Sequence, residues 1–259
     1  MVWRIFAIAR NAFREAVRDR VLYNLVFFAL LMFAAAILVG QISIQIEQIV
    51  IVTLGLSAIS VIGLLMAVFI GVGLVSKEMD KRTLYALLAK PVRRWEFLLG
   101  KFGGLLLTLV VNTAAMAAGL FAALWYVKHP LERGDAVVLV AVYFILLKLA
   151  LVVALALLFS CYTTPLLAIL FTAGLYVAGL FVNEMRDLQS ATMAPGMKAF
   201  LRWLSYLLPN FSNFDVMAAA AHGRAIPAML AAQNTAYAAL YCAIVLAAAA
   251  TVFSRRNLK

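Results

Sequence analysis

Residues 76–101 read SKEMDKRTLYALLAKPVRRWEFLLGK and hold ten of the chain's 33 formally charged residues. Before them runs IVIVTLGLSAISVIGLLMAVFIGVGLV (49–75) and soon after them LLLTLVVNTAAMAAGLFAALWYV (105–127), neither of which holds a charge. Each apolar run exceeds the roughly 20 helical residues that cross a bilayer's hydrocarbon core. Only helices or closed barrels satisfy a backbone in lipid, and these runs are too long and too uniformly apolar for strands. The charged stretch therefore reads as a water-facing loop between two membrane-spanning helices.

The rest of the chain agrees. It is 66% hydrophobic and 13% charged over 259 residues, against about 45–50% and about 25% in soluble domains. Further apolar segments at 22–39, 136–160, 166–182 and 230–253 join 49–75 and 102–127. The expected fold is all-α, with six transmembrane helices in one membrane domain spanning 1–259.

Basic residues orient it. With the N-terminus in the cytoplasm, segments 1–21, 76–101, 161–165 and 254–259 carry fifteen Lys and Arg, and the outside segments carry six. The positive-inside rule then puts both termini in the cytoplasm of a multi-pass cell (inner) membrane protein. The net charge of +11 sits beside apolar spans, which points to membrane topology and anionic lipid rather than nucleic acid.

The N-terminal stretch MVWRIFAIARNAFREAVRDR has arginines breaking its apolar run, unlike the uninterrupted core of a secretory signal. Arg10, Arg14 and Arg18 recur every four residues on one face, with Ile5, Ala9, Ala12, Phe13, Ala16 and Val17 tending to the other. This predicts an amphipathic helix in the membrane interface. In GMKAFLRWLSYLLP (196–209), Met197, Phe200, Leu201, Leu204 and Leu208 set one face against Lys198, Arg202 and Ser205. That predicts an external amphipathic helix before the last span.

Within the charged loop, Ser76 is a candidate N-cap, and Glu78 precedes Arg82 by four residues, the favourable order for a helical ion pair. Leu84, Leu87 and Leu88 form a small apolar face, and Pro91 ends the element. RRWEFLLGK then opens the next helix, with Trp95 placed as an interfacial anchor. Mixed charge, a leucine face and a proline stop suit a docking element, whereas Arg93, Arg94 and Lys101 need only hold the loop in the cytoplasm.

This stretch resembles the permease subunits of the type-2 ATP-binding cassette (ABC) exporter family. Glu78, Thr83, Leu84, Leu87, Leu88, Pro91, Val92, Arg94, Gly100 and Lys101 match the family's pattern, while Arg82 and Arg93 stand where many members have Gly and Ser. Tyr206-Leu-Leu-Pro-Asn-Phe-Ser-Asn-Phe-Asp215 is similar to a segment before the last span of many such permeases.

The resemblance implies that Glu78, Asp80, Arg82, Thr83, Leu84, Leu87, Leu88 and Pro91 form a coupling helix docked on a separate cytoplasmic ATPase. Two permeases and two ATPases would make the working unit, with Tyr162, Thr163 and Thr164 as a second, smaller contact. ATP and magnesium would belong to that partner. No cofactor or metal is expected on this chain, because it has no G-x-x-x-x-G-K-[ST] loop and its nearest approach, LLGKFGG, puts Phe102 where Ser or Thr belongs. No catalytic constellation is legible.

The expected cargo is lipid-like or amphipathic. The alternatives are mechanical transmission to an external or periplasmic partner, and a stand-alone secondary transporter. The family also includes the permease of the nitrous-oxide-reductase maturation system. Met185, Met193 and Met197 could serve such a copper-linked role, although methionines mostly pack.

Inside the spans, Lys148 is the candidate pathway residue. It would otherwise face the bundle interior, paired to Glu47, Glu184 or a carbonyl. Asn24, Asn112 and Asn234 read as inter-helix hydrogen bonds, and Gly100-x-x-x-Gly104 as a site of close helix packing.

Overall fold

A computed structural model describes residues 2–16, 27–28, 31–32, 34, 47–80, 94–127, 133–188 and 195–255. Among them every regular element is helical. We number the α-helices α1 (Val2–Ala16), α2 (Glu47–Asp80), α3 (Arg94–Val127), α4 (Val137–Ser160), α5 (Pro165–Leu180), α6 (Val182–Leu188), α7 (Pro195–Leu207), α8 (Met217–Ala221) and α9 (Ala228–Arg255). Short 3₁₀ turns at Arg133–Ala136 and Ser212–Phe214 lead into α4 and α8.

Four stretches are long and apolar enough to cross a membrane: Gln48–Gly73, Trp95–Tyr126, Gly134–Ser160 and Ala228–Ser254. A fifth would be α5 with α6, which meet at a 45° bend. Four of the six expected spans are thus matched, and a fifth is matched if α5 and α6 together make one span. The first, 22–39, lies outside the described residues except for a few positions, of which Phe28 and Met32 are buried in the core.

The helix α4 is the hub. Its side chains are buried without a break from Lys148 to Leu157, which is why its sequence shows no polar face there. Around it pack α2, α9, α3 and α5. Glycines let α2 approach closely: a Cβ on Gly63 would meet Leu149 at 2.5 Å, and one on Gly71 would meet Ala156 at 3.1 Å. The α4–α5 turn is tight. Thr164 is extended and Pro165 opens α5, where its missing N–H costs nothing.

Two local expectations change. The helix α2 does not restart at Ser76: it runs unbroken to Asp80, about 51 Å at about 1.5 Å per residue. No proline or glycine interrupts residues 74–80, and serine caps a helix only where the chain enters one. Ser205, expected on the polar outer face of α7, is instead buried, while Met197, Phe200, Trp203 and Tyr206 are exposed. The helix turns its serine inward, where Ser205 Oγ donates to Arg202 O at 2.9 Å.

Candidate functional site

Among the described residues, α1, the start of α3 and the α4–α5 turn lie at one end of the bundle. The helix α1 lies along the first turns of α3, seated by glycines. A Cβ on Gly100 would stand 2.7 Å from Ile8 Cβ, and one on Gly104 would stand 2.5 Å from Ala9 O and 2.6 Å from Ala12 Cβ. The expected close-packing pair is therefore used, and its partner is the N-terminal helix. Beside the seat, Lys101 Nζ lies 3.8 Å from Glu15 and 5.7 Å from the centre of the Phe97 ring. Lys101 is 1% exposed, which corrects its reading as a solvated topology signal. A lysine stem packs readily along apolar surface, and the buried ammonium demands a nearby carboxylate.

At the same end, Phe97 stacks on Phe253 with centroids 6.1 Å apart. Phe97, Leu98, Cys161, Ala249 and Phe253 form one buried cluster, joining the start of α3, the α4–α5 turn and the end of α9. Val72, Ala156 and Ala168 join the lower part of α2 to that turn. The turn itself is held by Thr163 Oγ1 donating to Phe159 O at 2.8 Å. Tyr162 is exposed, with its ring against Phe159 at 5.9 Å. Partial burial pushes its phenol above the usual value, so it stays a neutral hydroxyl at physiological pH.

Of the expected docking residues, Glu78 and Asp80 fall in the last turns of α2. Arg82, Thr83, Leu84, Leu87, Leu88 and Pro91 lie outside the described residues, as does Arg18. Arg10 and Arg14 are exposed on α1. Trp3, 83% exposed, and Phe6 share that helix's outer surface.

Midway along the bundle, Lys148 is buried and donates to Ser60 Oγ of α2 at 2.7 Å. Its ammonium lies 5.9 Å from the centre of the Tyr176 ring. The expected facing into the bundle holds. The hydrogen-bond acceptor, however, is a hydroxyl 88 residues away, and Glu184 is exposed. Asn112 reaches Met66 Sδ on α2 at 2.9 Å, and Asn234 donates to Asn213 O at 3.2 Å. Both act between elements, as expected; Asn24 lies outside the described residues.

The opposite end holds what residue patterns missed. The segment 208–211 is irregular yet buried, a placement tolerated at membrane depth only when protein satisfies the backbone. Phe211 N donates to Gly179 O at 3.0 Å and Asn210 N to Tyr237 OH at 2.9 Å. Asn210 Nδ2 donates to Asn183 Oδ1 at 2.8 Å, and Ser212 Oγ donates to Leu180 O. Gly179 is required here, because a Cβ would collide with Pro209 O and Phe211. Its signal was the second of two glycines in the fifth apolar run, beside the 45° bend. Met185 and Met197 stand near this end, and Met193 lies outside the described residues.

A bundle of apolar helices around a buried central one, with a close-packed basic helix at one end, defines a polytopic membrane protein. The chain matches the ABC-2 family transporter protein family over residues 6–258 and belongs to it. It is thus a transmembrane permease component of an ABC transporter, a class whose membrane subunits are generally not catalytic. Membership implies a cytoplasmic ABC ATPase partner and usually a dimeric assembly. No curated protein matches the sequence well enough to serve as a relative.

Proposed function

We propose that this chain is the membrane half of an ABC exporter, coupling ATP hydrolysis on a separate ATPase to outward movement of a lipid-like or amphipathic compound. The observation that carries the reading is α2. One uninterrupted helix runs from Glu47, through Ser60 at the buried lysine, to Asp80 in the charged stretch. A push delivered at Asp80 would travel along that rod to the bundle's middle without crossing a break in the helix.

In this reading the full layout has six spans, with 22–39 as the first, in a cell (inner) membrane with both termini cytoplasmic. The helix α1 lies in the interface, residues 78–90 form the coupling helix and α7 is the external helix. Tyr162, Thr163 and Thr164 form the second contact. Two permeases and two ATPases make the complex, and ATP and magnesium stay on the ATPases. The 45° bend between α5 and α6 gives the second moving part, with α2 and α5 tilting to open a path outward.

Transmission to an external partner is the second reading. The locked segment 208–212 and the exposed aromatic face of α7 favour it. The test is the paired reversal Glu78→Lys with Arg82→Glu in the co-expressed complex. The docking assignment predicts loss of ATPase co-purification and of lipid-stimulated hydrolysis in nanodiscs. Retention of both would overturn it. Hydrolysis stimulated by an external protein, and by no lipid or small molecule, would favour the second reading.

A further inference from the structure

Lys148 stands in the middle of α4, about 17 Å from Val137 at about 1.5 Å per residue. Its acceptor, Ser60, is likewise near the middle of the apolar stretch Gln48–Gly73. Both side chains are buried, Lys148 at 5% exposure and Ser60 at 6%. A charge at this depth costs free energy, so packing alone does not account for the lysine.

Its surroundings supply donors and little to receive them. An ammonium carries three N–H groups and no acceptor. One goes to Ser60 Oγ at 2.7 Å, and the Tyr176 ring faces the charge at 5.9 Å. Buried hydroxyls elsewhere in the spans donate back to a carbonyl one turn earlier. Thr108 does so to Gly104 O, Thr113 to Leu109 O and Thr172 to Ala168 O. Ser60 makes no such bond among the described residues, and the Tyr176 hydroxyl makes none at all there. Their hydroxyl hydrogens therefore stay available beside the ammonium.

Among the described residues no carboxylate is within ion-pair distance of Lys148. Glu47 heads α2, about 20 Å along the helix from Ser60 at about 1.5 Å per residue. Glu184 and Asp215 are exposed, where solvent and salt screen their charge. Convergent donors around a cation, with no acid to match, suit an oxyanion, which takes short charge-assisted hydrogen bonds.

The three residues stand on three helices, Ser60 on α2, Lys148 on α4 and Tyr176 on α5. The helices α2 and α5 are those that tilt in the export reading, while α4 is the hub. The movement that opens the path would thus uncover the ammonium. We propose that Lys148, with Ser60 and Tyr176, binds the anionic head, a carboxylate or a phosphate, of the transported amphiphile. The inference rests on the export reading and adds that the cargo is acidic. An acidic head compensates the buried charge, whereas a neutral or cationic head leaves it unpaired.

The experiment places the complex with its co-expressed ATPase in phosphatidylcholine nanodiscs. Tm and hydrolysis are read with laurate, lauryl phosphate, lauryl alcohol and laurylamine, which share one tail. An acidic probe should raise Tm and stimulate hydrolysis at about tenfold lower concentration than the alcohol, the low end of what a hydrogen bond to a charged group is worth. The stronger of the two acidic probes names the head. Lys148→Met should lose that preference. Lys148→Gln should lose it too, which keeps the test should the first variant not fold, and Lys148→Arg should recover part of it. Equal responses of wild type to acidic and neutral probes would overturn the site, as would an intact preference in both neutral variants. A Tm rise with inorganic phosphate and none with either acidic probe would give the site to a free anion and overturn the cargo assignment. Hydrolysis that no probe stimulates, with the Tm preference present in wild type and lost in Lys148→Met, would refute the export reading and uphold the anion site.

Discussion

Neighbouring glycines of α3 should respond to alanine in opposite directions, and that contrast tests the seat of α1. In an exposed helix alanine is better than glycine by about 0.8–1.0 kcal/mol. At Gly103 the added methyl would meet Ala9 Cβ at 3.8 Å, an ordinary contact, so Gly103→Ala should keep that gain. At Gly104 it would stand 2.5 Å from Ala9 O, a backbone atom that cannot rotate away, and 2.6 Å from Ala12 Cβ. The helix α1 must then lift. Overpacking costs about 1–3 kcal/mol, and lifting also separates Glu15 from the buried Lys101.

Set against the propensity gain, Gly104→Ala should destabilise by up to about 2 kcal/mol. At about 2–4 °C per kcal/mol for a chain of this size, Tm in nanodiscs should fall by several degrees, and should rise slightly for Gly103→Ala. Limited proteolysis should cut α1 faster in the first variant only. Equal rises in Tm for both variants would show that α1 is not seated on Gly104, and the argument for a close-packed N-terminal helix would fail.

Further outcomes follow from the interior. Lys148→Met should fold with an equal or higher Tm, because a charge at membrane depth costs at least about 2.5 kcal/mol on insertion scales. Ser60→Ala should destabilise by about 1–3 kcal/mol, since the lysine loses its acceptor. A thermal melt of each compares the two, and a drop for Lys148→Met would refute the reading. Gly179→Ala should displace Pro209 and Phe211 and lower Tm by several degrees. Gly174→Ala, where a Cβ meets nothing within 4 Å, should not, and both are read in the same melt. Glu15→Gln should leave the Lys101 charge poorly compensated and lower Tm, and Glu15→Asp should restore part of the loss; no recovery would count against the ion pair.

Local patterns were legible because they record local physics. The spans at 49–75, 102–127, 136–160 and 230–253 reappear within a few residues, except that the second begins at Trp95 rather than 102, and its helix opens at Arg94 within RRWEFLLGK, as expected. A run of apolar side chains needs no partner to declare that it belongs in lipid. The close-packing glycines were also visible as a four-residue spacing, yet not what they would touch. The Ser76 cap and the outward Ser205 failed for a related reason. Serine serves caps, helix interiors and buried faces alike, and its neighbours in space decide which.

The sequence by itself determined the class of protein, the helical spans and the concentration of charge in residues 76–101. The tertiary structure alone decided what those elements do to one another. It turned Lys101 from a topology signal into a buried ion pair, gave Lys148 a hydroxyl 88 residues away, and drew 208–212 into the bundle. Hydropathy and helical period report how a residue meets its solvent. Pairings between distant residues depend on which glycines and alanines let two helices close, and that is a property of the packed bundle.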